Sequence, residues 1–308
     1  MKIAISGLGK MGMQIAKMLH DGGHEVIAHN RSSAKVDEAK SFGAIPAYSM
    51  QDVVDAFDGQ PVVLWIMIPA GVIEQNIDDW LQVLPKGSTL IDGGNSDYRG
   101  DTARAERVRA AGSELLDVGT SGGVWGLTNG FSMMVGGAEA DYQRITPVLD
   151  TLAKPLGGHR HFGANGSGHF VKMVHNAVEY GMMQSLAEGY RVLREGPYQG
   201  LDLAKAGDVW QESSVITSFL NDLTRQALHE NPNMENVGGV VAESGEARWT
   251  LETANELGIP MPSIQAAFDV RLASQKPDAV ESGDINFATK LLAAMRNKFG
   301  GHNIDGKQ

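Results

Sequence analysis

The sequence predicts an α/β protein: a doubly wound parallel sheet in residues 1–165, followed by an all-helical domain in residues 166–308. Three observations carry that reading. A short apolar run, Lys2–Ser6 (KIAIS), leads into Gly7-Leu8-Gly9-Lys10-Met11-Gly12, a G-x-G-x-x-G opening an amphipathic segment through Leu19. Further apolar runs of strand length then alternate with helical periods, the arrangement of a parallel sheet. From Gly163 on, strand-like alternation stops, and helical periods bounded by Gly, Pro and Asn continue to the end.

The glycine motif has a strand before it, a helix after it and a second strand at Glu25–His29, the context of a Rossmann dinucleotide site. Gly7 makes the tight turn, Gly9 lets a pyrophosphate approach the backbone, and Gly12 permits close helix–strand packing. The exposed N–H groups of this loop, Leu8, Lys10 and Met11 included, bind phosphate together with the helix dipole. After the second strand the chain reads Ala28-His29-Asn30-Arg31-Ser32-Ser33, with no carboxylate to hold a ribose 2′-hydroxyl. Arg31 suits a 2′-phosphate, and Asn30 and Ser32 donate hydrogen bonds without repelling it. NADP is therefore the expected cofactor, with NAD as the alternative; taken alone, Arg31 is also an ordinary solvated charge.

Val62–Ile68 is the next strand and ends at Pro69-Ala70. Thr89–Asp92 runs into Gly93-Gly94-Asn95-Ser96, Leu115–Val118 into Thr120-Ser121-Gly122-Gly123, and Phe131–Val135 into Gly136-Gly137. Ligands on such sheets bind beyond the carboxyl ends of the strands. Asn95 and Ser121 are thus candidates to face nicotinamide and substrate, although both residue types are also ordinary in turns.

The helical half opens with Gly166–Gln184 (GSGHFVKMVHNAVEYGMMQ), and no proline follows until Pro197. At about 100° per residue, Lys172, His175, Asn176, Glu179 and Met183 fall on one narrow stripe, with apolar residues over most of the rest. Such a helix belongs in a core, and its polar stripe then needs a wet cavity or a ligand. Lys172 and Glu179, two turns apart, could flank a small substrate as proton acceptor and donor. The same two residues would equally serve as a partly buried ion pair. Gln275–Asp284 reads as a polar loop, and Phe287–Met295 as an amphipathic helix that Gly300-Gly301 ends.

Composition narrows the class. With 308 residues and 42% hydrophobic content, the chain can bury a sizeable core. Its N-terminus goes straight into a strand rather than a signal peptide, and no run reaches the length of a membrane span, so a cytoplasmic address is expected, with no membrane partner. It has no cysteine, which excludes disulfides, thiolate catalysis and cysteine-bound zinc. A net charge of -11 argues against a nucleic-acid surface. His159 and His161 have no accompanying carboxylate cluster, and no metal site is expected.

Gly163-x-x-Gly166-x-Gly168-x-x-x-Lys172-x-x-x-Asn176 resembles the signature of the β-hydroxyacid dehydrogenases. Gly93-Gly94-Asn95-Ser96 with Tyr98-Arg99, Ser121-Gly122-Gly123, and Lys172-Met173-Val174-His175-Asn176 continuing to Glu179-Tyr180-Gly181 narrow this to the decarboxylating 6-phosphogluconate dehydrogenase family, in a short form. The resemblance implies Lys172 as general base and Glu179 as general acid. It implies that Ser121, Gly122, Gly123, His175, Asn176 and Tyr180 hold a phosphorylated sugar acid, with Asn95 touching both cofactor and substrate. Ile68, Pro69 and Ala70 correspond to a cofactor loop, where the family commonly has Val-Lys-Ala. Arg248 stands in an Ala-Arg-Trp where the family has Gly-Lys-Trp; Arg271 matches a phosphate-binding arginine. Arg296 and His302 match a tail that reaches a neighbouring subunit, implying a homodimer or homotetramer whose tail acts in trans. Desolvation and nearby arginines would favour the neutral amine that Lys172 needs as a base. A sister dehydrogenase acting on a small acid such as 3-hydroxyisobutyrate, or a dinucleotide sensor without catalysis, are the alternatives.

Overall fold

The glycine motif folds as its spacing requires: β1 (Lys2–Ser6) enters the turn and α1 (Lys10–Asp21) starts directly after Gly9. In the computed structural model, which describes residues 1–304, the chain continues through β2 (Glu25–His29), α2 (Ser33–Ser41), β3 (Ile45–Ala47), α3 (Met50–Asp55), β4 (Val63–Ile66) and α4 (Ile73–Leu81). It goes on through β5 (Thr89–Asp92), α5 (Asp101–Ala110), β6 (Glu114–Ser121), α6 (Gly126–Asn129), β7 (Ser132–Gly136), α7 (Glu139–Leu152) and β8 (Gly158–Gly163). The strands form one sheet in the order β3-β2-β1-β4-β5-β6-β7-β8. Strand order reverses between β1 and β4, the switch point at which ligands bind in this architecture.

Pairing is parallel from β3 across to β6. β7 then joins antiparallel to β6, and β8 parallel to β7. The sheet is therefore mixed at one end, not parallel throughout. Residues 122–131 make the link from β6 to β7, too short for the crossover of about a dozen or more residues that a parallel pair needs. β1 shows why strands with helices on both faces read as apolar runs. Ile3 and Ile5 pack into one core with Ile15, Leu19, Trp65 and Val118, while Ala4 faces the other with Ile27, Leu64, Ile77 and Trp80.

α8 (Ser167–Glu195) follows as one uninterrupted helix, succeeded by α9 (Leu203–Gln211), α10 (Phe219–Glu230), α11 (Glu246–Glu256), α12 (Pro262–Ser274) and α13 (Phe287–Gly300). The chain divides into two compact units, Met1–Met173 and the part from Val174 on, so the division falls inside α8. The second unit has its own core, with Met183, Ala187 and Tyr190 of α8 packed among Leu228, Leu291, Leu292 and Met295. Val178 and Met182, on the apolar side of α8, are 46% and 45% exposed, so that face is only partly covered within the chain.

Residues 275–284 form consecutive turns, with the Ala279 N–H donating to the Lys276 carbonyl. α13 runs past Met295, capped by Asn286 and ended by left-handed Gly301. Arg296 lies inside this helix. The Gly238 N–H donates to the Ile304 carbonyl at 2.7 Å, so the last described residues return to their own unit. Among the described residues, no helix is long and apolar enough to cross a membrane.

Candidate active site

The three motif glycines have three separate reasons to be glycine. Gly7 has φ +100°, and a Cβ there would fall 2.3 Å from the Met67 carbonyl oxygen. A Cβ on Gly12 would fall 1.9 Å from the Gly7 oxygen, so α1 packs against the turn with no space for a side chain. A Cβ on Gly9 would meet nothing within 4 Å. The loop is open at the one position where a diphosphate has to approach the backbone, at the positive end of α1.

Asn30 is part of this loop's support. Its Oδ1 accepts the Leu8 N–H at 3.0 Å, and its Nδ2 donates to the Ser32 carbonyl at 3.4 Å. Arg31 and Ser32 are exposed, and Ser32 stands at the start of α2 without capping it through its side chain. Pro69 is exposed after β4, and Ala70 begins a short turn of 3₁₀ helix.

At the ends of β5 and β6, Asn95 is exposed while its neighbours are held. The Asp92 carboxylate accepts the Gly94 N–H at 3.1 Å and the Ser96 hydroxyl at 2.6 Å, which fixes the turn that presents Asn95. Ser121 closes β6; Gly122 and Gly123 follow with φ +153° and +55°. A Cβ on Gly122 would fall 2.7 Å from the Phe131 ring.

Lys172 is 6% exposed and packs against β6, where a Cβ on Gly119 would fall 2.2 Å from the Lys172 Cβ. A Cβ on Gly168 would fall 2.4 Å from the Met134 oxygen and 2.6 Å from the Asp117 oxygen. The first turn of α8 therefore touches the sheet backbone directly, and Gly119 and Gly168 are what allow it. The motif reading had Gly168 only as signature spacing and missed Gly119, which carries no local pattern.

The second unit gathers most of the remaining predicted residues. Asn176 Nδ2 donates to Glu246 Oε1 at 2.9 Å, while Asn176 Oδ1 lies 3.0 Å from His175 Nδ1. Glu246 Oε2 accepts the Ser244 hydroxyl at 2.6 Å, and the Tyr180 hydroxyl accepts the Ser244 N–H at 3.3 Å. The Arg271 guanidinium stacks on the Tyr180 ring, 3.3 Å from its centroid. Burial pulls the pKa of Arg271 down to about 10, the Arg296 charge lowering it further while Tyr180 and Glu179 oppose. Arg296 is also held below its usual range by burial, against the fields of Tyr180, Glu179 and Glu246. Two arginines, 1% and 8% exposed, thus belong to one cluster with Tyr180. Arg248 is placed differently: it pairs with Glu243 at 2.5 Å and lies over the Phe268 ring at 5.6 Å. His302 is exposed, its carbonyl accepting from Asn297 Nδ2 at 2.7 Å.

One charged cluster was not legible beforehand because its members are far apart in sequence. Asp92, Asp101 and His169 bring potential ligand atoms within 4.8 Å of one another, all buried. Their atoms are already engaged: Asp92 by Gly94 and Ser96, Asp101 by Arg104 at 2.7 Å and by His169 Nδ1 at 2.7 Å. Burial alone would discharge the His169 imidazole; the hydrogen bond to Asp101 and the fields of Asp92, Asp101 and Asp117 prevail and push its pKa up to about 9. Burial also pushes the Asp117 carboxyl up, with His169 opposing.

The fold and its matched domains define a dehydrogenase with an NAD(P)-binding first unit. Residues 2–166 match the NAD binding domain of 6-phosphogluconate dehydrogenase, and residues 168–284 match the 6-phosphogluconate dehydrogenase C-terminal domain. The chain belongs to the 6-phosphogluconate dehydrogenase family. It is 38% identical over 309 residues to the NAD(+)-dependent, decarboxylating 6-phosphogluconate dehydrogenase of Haloferax volcanii, covering 100% of this chain and 99% of that one. The Plasmodium falciparum 6-phosphogluconate dehydrogenase, solved with NADP+ and with 6-phosphogluconate, superposes with a TM-score of 0.82 at 26% identity, over 96% of this chain and 70% of that one. The 3-hydroxyisobutyrate dehydrogenase of Salmonella typhimurium shares the fold, with a TM-score of 0.74 at 20% identity, over 94% and 98% of the two chains.

Proposed function

We propose that this protein oxidatively decarboxylates 6-phospho-D-gluconate to D-ribulose 5-phosphate and CO2, with NADP as the preferred oxidant. The observation that carries the reading is the buried pair Arg271 and Arg296 beside Tyr180. Desolvating two guanidinium groups together is unfavourable unless an anion neutralises them, and a phosphate dianion does so with matching bidentate geometry. A small monocarboxylic acid brings one negative charge to the two arginines where a phosphate brings two, which disfavours the 3-hydroxyisobutyrate alternative.

On this reading the open face at Gly9 and the loop amides hold the diphosphate, while Arg31 takes the 2′-phosphate. When bound, the nicotinamide supplies the acceptor for the hydride from C3. Lys172, as the free amine, takes the proton of the C3 hydroxyl. The resulting ammonium then donates to the C3 oxygen as CO2 departs, where a divalent ion serves in metal-dependent decarboxylases. Glu179 returns a proton to C2. Lys172 and Glu179 are seven residues, about two turns, apart on α8, and so share one face of the helix. In a homodimer or homotetramer, the tail with Arg296 and His302 is read as reaching the neighbouring subunit's substrate; in its own chain Arg296 is buried near Arg271 and Tyr180.

Purified protein assayed for NADPH formation with 6-phosphogluconate and with 3-hydroxyisobutyrate separates the readings. Turnover of the phosphorylated acid at least about a hundredfold more efficient, about 2.7 kcal/mol of transition-state discrimination, is expected. Equal turnover of both would set the arginine argument aside.

A further inference from the structure

We propose that His169, held by Asp101, is a positioning residue for Lys172: a buried side-chain knot fixes the first turn of α8 and, through it, the amine three residues on. The proposal rests on the catalytic reading of Lys172. The knot draws on several segments of the first unit. Asp117 of β6 accepts the Gly166 N–H at 2.8 Å and the His169 N–H at 3.0 Å, capping α8 from another element. Asp101 of α5 accepts His169 Nδ1 at 2.7 Å and Arg104 at 2.7 Å. Arg104 in turn donates to Glu74 of α4 at 2.7 Å and to the Asp97 carbonyl at 3.1 Å. The Phe170 ring meets Tyr98 edge-on at 5.0 Å.

Holding the start of a helix needs far less than this. A single side-chain oxygen normally caps it, for about 1 kcal/mol. Buried charges add little net stability, because desolvation offsets their attraction, whereas a well-determined set of hydrogen bonds fixes position. The His169 side chain is 1% exposed, and its Nε2 is buried with no hydrogen-bond partner among the described residues, so its polar contact runs through Nδ1 to Asp101. Residues three apart on a helix are neighbours, with Cβ atoms about 5–6 Å apart. Movement of His169 therefore moves Lys172.

The test compares His169→Leu, which removes the donor to Asp101, with His169→Asn, whose amide nitrogen stands where Nδ1 does. In His169→Leu, kcat for the β-hydroxy acid should fall about a hundredfold, the effect of roughly 1 Å of misplacement, while KM and the NADP dissociation constant stay within about threefold. His169→Asn should recover most of that loss. Backbone hydrogen exchange in the first turn of α8 should be faster in His169→Leu than in wild type and near wild type in His169→Asn. If His169→Leu does not fold, Asp101→Ala, which removes the acceptor of His169 Nδ1, serves with the same expected kcat loss. Unchanged kcat, equal losses in both His169 variants, or unchanged exchange would overturn the proposal. A wild-type enzyme that turns over no β-hydroxy acid would instead overturn the reading of Lys172, and the exchange comparison would still judge the knot.

Discussion

Single residues divide the labour at the two chemical ends of the site. Arg31 is exposed beside the glycine loop, whereas Asn30 is engaged in supporting that loop. Discrimination between NADP and NAD should therefore fall mainly on Arg31. Arg31→Ala should weaken NADP about a hundredfold and NAD little, as loss of a charge-assisted contact to phosphate implies; equal losses measured by fluorescence titration would leave Arg31 only a stacking role. Lys172→Met should abolish turnover, because both hydride transfer and decarboxylation use that nitrogen. Glu179→Gln should reduce kcat by two to four orders of magnitude, the usual contribution of a positioned proton donor. Full activity in Glu179→Gln would make Glu179 a structural partner of the arginine cluster.

The element that organises the chain is α8, and its sequence announced that role through the absence of proline and the narrow polar stripe. The strands were legible for a similar physical reason: buried on both faces, β1, β2, β4 and β5 are apolar in their central residues, with polar residues only at their ends. β3 was not, being three residues long, and β8 reads Gly-His-Arg-His-Phe-Gly, an edge strand with half its residues polar. The antiparallel entry of β7 was hidden because periodicity gives no direction. The knot around His169 was hidden because only folding brings positions 92, 101, 117 and 169 together. Its charge has a consequence for stability. A histidine whose folded pKa exceeds its unfolded value of about 6.5 stabilises fully below that value and loses the contribution as pH rises through the folded value. With His169 at about 9, the loss falls between those limits. The denaturant midpoint of wild type should drop from about pH 6 to about pH 10 by more than that of His169→Asn. Parallel profiles would mean that His169 is neutral in the folded protein.

At the scale of the molecule, the chain divides into two compact units inside α8. The glycine loop, Asn95, Ser121 and Lys172 belong to the first unit, and Asn176, Glu179, Tyr180, Arg271 and Arg296 to the second. The sequence placed a change of character at Gly163, and the helix that begins four residues later runs from the first unit into the second. What it left undetermined was which arginines cluster: Arg271 and Arg296 do, and Arg248 is taken by Glu243. Oxidation and decarboxylation are proposed to occur at one site on one substrate, and their stoichiometry tests this most directly. With 6-phosphogluconate labelled at its carboxyl carbon, purified protein should release one labelled CO2 for each NADPH formed. NADPH without labelled CO2, or neither product, would contradict the proposed oxidative decarboxylation.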